Sequence, residues 1–161
     1  MSRVQLALNV GDLDAAVAFY SKVFATEPAK LRPGYANFAI DEPPLKLVLI
    51  EGHGTPGTLN HLGVEVFSTD EVAAAQLRLA DAGLVPAPET GVTCCYAVQD
   101  KVWVDDPDGA PWEIYTVLAD AEIPAGQLRG PGPDAADSTV CCGATPAAEA
   151  ACCAQPVATP A

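Results

Sequence analysis

All six cysteines of this 161-residue chain occur as adjacent pairs, Cys94-Cys95, Cys141-Cys142 and Cys152-Cys153. Neighbouring Cα atoms across a trans peptide are ~3.8 Å apart, whereas a relaxed disulfide needs ~4.4–6.8 Å. A bond within a pair would therefore be strained. The pairs also lack the C-x2–4-C spacing of structural zinc sites. We interpret them as dithiols that suit a soft ion or metalloid.

Several soft ligands match two neighbouring thiols. A trivalent arsenical of the form R–As(OH)2 has two exchangeable positions, so one dithiol satisfies it, and cadmium and copper(I) are other candidates. A single cysteine pair is more often a pair of small buried residues. Three pairs with no isolated cysteine favour the ligand-binding interpretation.

Composition excludes several classes of partner. The chain has 21 Asp and Glu against 8 Lys and Arg, a net charge of −13, which disfavours binding to nucleic acid or to anionic lipid. No apolar run approaches the ~18–20 residues of a membrane-spanning helix, and the N-terminal segment lacks the features of a signal peptide. We expect a cytoplasmic protein with no nucleic-acid or membrane partner.

Residues 120–161 differ from the rest of the chain. They contain 12 Ala, 6 Pro and 4 Gly in 42 residues and no aromatic side chain. Such a segment buries too little apolar surface to offset its ordering entropy, which predicts a disordered tail. The tail carries two of the three cysteine pairs. One hypothesis is that they collect thiophilic metalloid near the main site; the alternative is a tail with no catalytic role.

Residues 1–119 divide into two similar halves, separated by the Gly-rich linker Gly52–Thr58. Asp12 or Asp14 is placed to cap the first helix, and Gly83 to end the second. The predicted helices are Leu13–Phe24 and Asp70–Ala82, and the predicted strands are Arg3–Val10, Tyr35–Ile40, Lys46–Glu51, His61–Phe67, Thr93–Val98, Lys101–Val104 and Pro111–Val117.

The halves align with an offset of 56, which places Gln5–Val10 over His61–Val66. Separately, Pro44–Leu47 resembles Pro111–Ile114, so that Lys46 matches Glu113. A repeat of this size predicts two modules that share one sheet.

Strand alternation sorts the residues of each opening strand by face. Gln5 and His61 share the small, polar face of their strands, and we expect them to converge with Glu113 on the last strand. An amide, an imidazole and a carboxylate leave open positions on a divalent metal, as in the three-ligand facial site of non-haem iron(II) with an amide replacing one histidine. Taken singly, His61 is equally explained as a hydrogen-bonded residue at a strand start.

This pattern of paired strand–helix–three-strand modules resembles the vicinal oxygen chelate superfamily, which includes glyoxalase I, extradiol dioxygenases and bleomycin- or fosfomycin-resistance proteins. The resemblance spans residues 3–118 and is carried by Gln5–Val10, Asn60–Glu65, Asp105–Gly109 and Trp112–Tyr115. Within the superfamily, Thr93–Ala97 followed by Lys101–Gly109 is similar to ArsI-type C–As lyases and to the closely related cadmium-induced proteins.

The resemblance implies an α+β fold in which two βαβββ modules, about 1–52 and 58–119, form an open barrel within a 1–119 domain. It implies that Gln5, His61 and Glu113 bind iron(II), which other divalent metals replace without activity. It also implies that Cys94 and Cys95 hold a trivalent organoarsenical. Dioxygen then takes part in cleaving the carbon–arsenic bond, and arsenite is released. A homodimer is compatible with this family.

Four further residues are accessory candidates. Lys101 lowers the pKa of the thiols if it lies across a hairpin from them, although a lysine at a strand start more often faces solvent. Tyr96 and Tyr115 line the pocket or pack in the core. Glu65 shares a face with His61 and is the reserve carboxylate if Glu113 is not a ligand.

Two other functions stay open at this stage. One is a cadmium- or arsenite-binding protein without turnover, which has no need of Gln5 or Glu113. The other is a different activity of the superfamily, such as thiol-conjugate isomerisation or drug sequestration, which leaves Cys94 and Cys95 unexplained.

Overall fold

The structure, a computed structural model, describes residues 2–122. This part of the chain contains eight strands and two helices. The helices are α1 (Leu13–Phe24) and α2 (Thr69–Asp81), and the strands are β1 (Arg3–Val10), β2 (Lys30–Arg32), β3 (Tyr35–Ile40), β4 (Leu45–Glu51), β5 (Leu59–Glu65), β6 (Ala87–Cys94), β7 (Ala97–Asp105) and β8 (Pro111–Asp120).

All eight strands join one curled sheet in the order β2-β3-β4-β1-β5-β8-β7-β6. The first βαβββ module contributes β1 to β4 and the second contributes β5 to β8, and the opening strands β1 and β5 pair antiparallel at the centre. The predicted α+β fold with two modules in an open barrel is therefore confirmed.

The two faces of the sheet bury different kinds of residue. On the convex face, α1 packs on apolar side chains of the first module and α2 on those of the second, around Phe38 and Val102 respectively. On the concave face the two opening strands bury Gln5, Ala7 and His61. The period-2 alternation of β1 and β5 produces this division, as predicted.

Each helix begins at a capping side chain. Asp12 accepts a hydrogen bond from the backbone N–H of Ala15 at 2.8 Å, and Ser68 accepts one from Glu71 at 3.2 Å. Each bond satisfies a backbone donor that the first helical turn leaves unpaired, a contribution of about 1 kcal/mol. These caps start the helices so that their apolar faces lie on the sheet.

The predicted strand Thr93–Val98 is wrong. The chain reverses inside it, since β6 ends at Cys94 and β7 begins at Ala97. The two residues between them, Cys95 and Tyr96, have φ angles of 51° and 63°. Two successive positive φ angles characterise the two-residue hairpin turn that follows strand twist. Such turns are usually marked by Asn-Gly or Asp-Gly, so Cys-Tyr gives no turn signal.

The strand register also corrects one part of the repeat. Ala7 pairs with Val48, and Gly63 pairs with Glu113. Because Ala7 and Gly63 are equivalent at the offset of 56, the position equivalent to Glu113 is Val48. The sequence similarity that matched Lys46 with Glu113 is therefore displaced by two residues.

β8 continues to Asp120, one residue past the predicted domain boundary. Beyond it, the backbone N–H of Ala121 donates to the carbonyl of Tyr96 at 2.9 Å. Residues 123–161, which include most of the predicted tail and the pairs Cys141-Cys142 and Cys152-Cys153, lie outside the described residues. Neither helix in residues 2–122 has the length and apolar character needed to span a membrane.

Candidate functional site

Gln5, His61 and Glu113 converge on the concave face, from the adjacent strands β1, β5 and β8. The side-chain nitrogen Nε2 of Gln5 lies 3.0 Å from Nε2 of His61 and donates to Oε1 of Glu113 at 2.7 Å. The same Oε1 lies 3.3 Å from Nε2 of His61. All three residues are at least 96% buried, so three polar groups meet where water has little access.

The three donor atoms of Gln5, His61 and Glu113 form a triangle, which has the dimensions of one face of a metal coordination shell. Ligand bonds of about 2.0–2.2 Å at right angles place neighbouring donor atoms about 3.0 Å apart, and the three observed separations bracket that value. Rotation of the Gln5 amide by 180° presents its oxygen, and amide oxygen and nitrogen are assigned from hydrogen bonding. In residues 2–122 no three His, Cys, Asp or Glu side chains are grouped to hold a metal, so the set depends on Gln5. These residues fit a divalent metal.

Lys101 pairs with the second oxygen of the Glu113 carboxylate. Its Nζ donates to Oε2 of Glu113 at 2.8 Å, and the lysine is only 2% exposed. Burial is the largest single influence and raises the pKa of Glu113, but the opposing influences, led by the charge of Lys101, together hold that pKa well below its usual range. The carboxylate is therefore ionised, with Oε1 directed at His61 and Gln5. The surface position considered for Lys101 is wrong.

The orientation of His61 is set from behind by two asparagines. Nδ1 of His61 lies 2.8 Å from Oδ1 of Asn60, and Asn60 donates through Nδ2 to Oδ1 of Asn9 at 2.9 Å. Since an amide oxygen only accepts, these hydrogen bonds assign the proton of the His61 ring to Nδ1. The other ring nitrogen, Nε2, is then an acceptor that faces Glu113. Metal-binding histidines are commonly oriented in this way.

Tyr115 and Trp103 complete the surroundings of the triangle. The hydroxyl of Tyr115, which is fully buried, donates to Oε1 of Gln5. The indole of Trp103 meets the His61 ring edge-on, with centroids 5.5 Å apart. Tyr115 is one of the accessory candidates, and it is buried in the core and also hydrogen-bonded to Gln5. Trp103 was not foreseen.

Cys94 and Cys95 lie in the hairpin between β6 and β7. Their sulfurs are 3.4 Å apart, too far for a disulfide bond of about 2.05 Å and close enough for one atom to bridge both. The turn is anchored to the first module, because the Tyr96 hydroxyl donates to the carbonyl of Pro33 at 3.2 Å and Lys30 donates to the carbonyl of Tyr96 at 3.1 Å. Left-handed φ at non-glycine residues costs of order 1–3 kcal/mol each, and these anchors hold the turn in place.

The thiols and the triangle line one cavity. It has a volume of about 20 Å³, enough for about one water. The five residues predicted as ligands and thiols all line it, and the other lining residues are Tyr35, Lys46, Val48, Gln99, Lys101 and Trp103.

Two accessory candidates lie elsewhere. Tyr96 packs on Tyr35, with ring centroids 5.7 Å apart, in agreement with core packing. Glu65 is held by Arg3 at 2.6 Å and by Lys46 at 2.9 Å, so it does not join His61. Burial raises the pKa of Glu65, but the charge of Lys46 and the hydrogen bonds from both cations lower that pKa below its usual value.

A larger cavity of about 430 Å³ lies at the start of α1, between Asp12 and Arg32. It is lined by neither cysteine nor histidine. Two of its three carboxylates already serve the helix, since Asp12 caps it and Glu51 accepts a hydrogen bond from the backbone N–H of Leu13 at 3.0 Å. The smaller cavity, which combines thiols, an imidazole and a carboxylate, is therefore the candidate site.

Comparison with known proteins assigns this chain to a family. Residues 3–114 match the Glyoxalase/Bleomycin resistance protein/Dioxygenase superfamily, and the chain belongs to it. Over 142 residues, 88% of this chain and 93% of the other, it is 60% identical to the "Cadmium-induced protein CadI" of Mycobacterium tuberculosis. Over 143 residues, 88% of this chain and 89% of the other, it is 57% identical to the "Trivalent organoarsenical cleaving enzyme" of Thermomonospora curvata.

Among solved structures, the chain is similar to a Mn(II)-bound glyoxalase from Novosphingobium aromaticivorans. The TM-score is 0.53 at 24% sequence identity, and the match covers 75% of this chain and 42% of that one. This likeness concerns the fold. The predicted resemblance to the superfamily, and within it to both cadmium-induced proteins and organoarsenical-cleaving enzymes, is confirmed.

Proposed function

We propose that this protein cleaves the carbon–arsenic bond of trivalent organoarsenicals, in a reaction that requires iron(II) and dioxygen and releases arsenite. The observation that carries the proposal is the single cavity shared by the Cys94-Cys95 thiols and by Gln5, His61 and Glu113. Methylarsonous acid and trivalent aromatic arsenicals are the substrates with suitable chemistry. The relative named as a trivalent organoarsenical cleaving enzyme supports this proposal.

The two thiols select the arsenical. In R–As(OH)2 each As–OH bond is replaced by an As–S bond, and each hydroxyl leaves as water with the proton of one thiol. The product of this exchange is R–As bonded to both Cys94 and Cys95, whose sulfurs already lie 3.4 Å apart. Because the turn is anchored, the arsenic is held beside the triangle, and such positioning lowers the barrier to reaction.

The triangle is the place for the metal. Gln5, His61 and Glu113 would hold it, and their nitrogen and oxygen donors suit a redox-active metal with open positions. Iron(II), when bound, supplies the electrons by which dioxygen becomes reactive. Asn60 fixes the nitrogen that His61 offers. The Tyr115 hydroxyl, which donates to Oε1 of Gln5 in the structure, would accept from the amide nitrogen once the amide is rotated to present its oxygen to the metal.

Lys101 connects the two halves of the site. It binds Glu113 directly. Burial by itself lowers the pKa of Lys101, but the charges of Glu113 and of the two cysteines raise that pKa well above its usual range. The permanent ammonium therefore attracts negative charge on the sulfurs, and the thiolate is the form that binds soft metalloids. A reducing compartment such as the cytoplasm keeps both thiols available.

A second candidate is sequestration of cadmium or arsenite by the same dithiol without turnover. The 60% identity to a cadmium-induced protein favours it. Sequestration uses Cys94 and Cys95 but not the triangle. The first proposal uses both, which is why the buried Gln5–His61–Glu113 cluster favours an enzyme.

The deciding experiment is a single-turnover assay. Full-length protein is loaded anaerobically with iron(II), given a trivalent methyl arsenical, and then exposed to air, and released arsenite is measured by chromatography with elemental detection. We expect arsenite from the wild type and none from metal-free protein. Cys94→Ser removes one thiol of the cavity, and Cys141→Ser removes one thiol of the C-terminal segment as its matched control.

Each outcome separates the candidates. Arsenical that stays bound but unchanged in the iron-loaded, aerated wild type supports sequestration and refutes the lyase. Turnover by Cys94→Ser at the wild-type rate refutes the role of the cavity thiols. We expect Cys141→Ser to retain turnover.

A further inference from the structure

Gln99 presents a hydrogen-bond acceptor that no group in residues 2–122 satisfies. Its side-chain oxygen Oε1 is buried without a hydrogen-bond partner, and the residue is 7% exposed. Ser21 Oγ is the other such atom within that range, and it lies on helix α1, away from the cavity. Leaving a buried acceptor unsatisfied is unfavourable, and native proteins do so rarely.

Gln99 is one of the residues that line the cavity of the thiols. Gln99 shares the cavity wall with Lys101 and Trp103, which follow it at alternate positions of β7. In the β6–β7 hairpin Cys94 pairs with Ala97 and Val92 pairs with Gln99. Cys94 and Gln99 therefore project from the same face as diagonal neighbours, at a spacing that long side chains bridge.

The arsenic compounds that can bind this dithiol differ in whether a hydrogen-bond donor remains on the arsenic. Phenylarsonous acid, C6H5–As(OH)2, exchanges both hydroxyls for the two thiols, releases two waters, and retains carbon as the third substituent. Arsenous acid, As(OH)3, also releases two waters, but retains one hydroxyl on arsenic. Dithiol-bound arsenite thus carries a hydrogen-bond donor, and the dithiol-bound organoarsenical carries none on arsenic.

We propose that Oε1 of Gln99 accepts a hydrogen bond from the hydroxyl that remains on arsenic when arsenite is bound to Cys94 and Cys95. The proposal rests on the arsenic-binding role of these thiols in the proposed function. Gln99 then favours the state in which oxygen has replaced carbon on arsenic. It is a residue that discriminates product from substrate, and it makes arsenite a product inhibitor.

The test compares two ligands on the full-length protein. The background carries Cys141→Ser, Cys142→Ser, Cys152→Ser and Cys153→Ser, so that Cys94 and Cys95 are the remaining thiols. Dissociation constants of arsenite and of phenylarsonous acid are measured anaerobically by calorimetry, before and after Gln99→Met. Methionine has a similar length and cannot accept the bond at comparable strength.

We expect Gln99→Met to weaken arsenite binding by about two- to tenfold, the value of one neutral hydrogen bond. Binding of phenylarsonous acid should change by less than about twofold, since no donor is lost. This second ligand also shows that the variant is folded with its dithiol intact. Gln99→Glu, which keeps an acceptor, should retain the preference for arsenite better than Gln99→Met.

Two results overturn the proposal. If Gln99→Met leaves both affinities unchanged, the acceptor serves only a resident water, for which the cavity of about 20 Å³ has room. If both affinities fall equally, Gln99 acts on the thiols and not on the hydroxyl. Failure of the arsenic-binding role on which the proposal rests has a different signature: the parent protein then binds neither arsenical, or Cys94→Ser binds both as tightly. Failure of the cleavage reaction alone appears in the single-turnover assay, with both affinities intact.

Discussion

Two buried carboxylates on the concave face, Glu113 and Glu65, have opposite surroundings. Glu113 gives one oxygen to Lys101 and directs the other at His61 and Gln5. Glu65 gives one oxygen to Lys46 and the other to Arg3. Both are ionised, because their cationic partners lower the pKa of each carboxyl against the effect of burial.

The difference shows that burial and negative charge do not by themselves make a metal ligand. Each carboxylate oxygen of Glu65 is paired with a cation of the first module, one with Arg3 and the other with Lys46. The charge of Glu65 is therefore balanced by these two residues. A single cation leaves Glu113 with one oxygen available beside an imidazole nitrogen. Glu113 therefore suits metal binding, whereas Glu65 contributes to the stability of the sheet.

The largest effect should come from Glu113→Gln. It removes the charged donor of the triangle and leaves Lys101 buried without its partner. Loss of residues that only support a ligand weakens metal binding by about 10–100-fold, so the loss of Glu113 should exceed that range. Anaerobic titration with iron(II) or Mn(II) measures the affinity. An affinity within about threefold of the wild type would show that Glu113 is not a ligand.

Glu65→Gln is the matched variant, and it should lower stability while leaving metal affinity unchanged. Removing one member of a buried ion pair costs about 3–5 kcal/mol, and the partial exposure of Arg3 places the expected loss of unfolding free energy near the lower end, about 3 kcal/mol. Urea unfolding measures it. Metal affinity should stay close to the wild-type value; a loss as large as that of Glu113→Gln would give Glu65 the ligand role and end the distinction.

Asn60→Ala tests the triangle through His61. Without the Asn60 oxygen, the proton and the ring orientation of His61 are no longer fixed, and metal affinity should fall by about 10–100-fold. The readouts are metal titration and the tautomer of His61 from nitrogen-15 NMR. Asn37→Ala is the control, because Asn37 bonds the Tyr35 hydroxyl and not His61. Equal effects of both variants would indicate general loosening of the sheet.

The smallest effect is a pH dependence of stability that Glu65 carries. The pKa of Glu65 in the folded protein lies below the ordinary value that the carboxyl has in the unfolded chain. The stabilisation is therefore complete above that unfolded value and is lost as pH falls through the lower, folded pKa. Urea unfolding between about pH 6 and 3 should show a steeper loss for the wild type than for Glu65→Gln; parallel curves would contradict it.

The parts of the fold that depend on local pattern were predictable from the sequence. Alternation in β1 and β5 identifies the polar face that carries Gln5 and His61, and the capping residue Asp12 identifies the start of α1. The offset between the halves places both opening strands in one sheet. These features depend on neighbours in sequence, which explains why they could be anticipated.

The missed features depend on contacts between distant residues. The strand β2 has only three residues, Lys30–Arg32, and exists through its pairing with β3. The burial of Lys101 depends on the charge of Glu113 on the neighbouring strand β8. The turn at Cys95 and Tyr96 is held by Pro33 and Lys30 rather than by a glycine. None of these partners is indicated by a local sequence pattern.

The register that places Val48 opposite Ala7 has a consequence for symmetry. β1 and β5 are related by a local two-fold axis, which carries Gln5 onto His61 and Glu113 onto Val48. A fully symmetric pair of modules would offer four donors around the axis. Here the fourth corner is an isopropyl group, buried in the cavity wall. The chain therefore breaks its own symmetry at one corner of the cavity, where the wall is apolar and offers no donor atom.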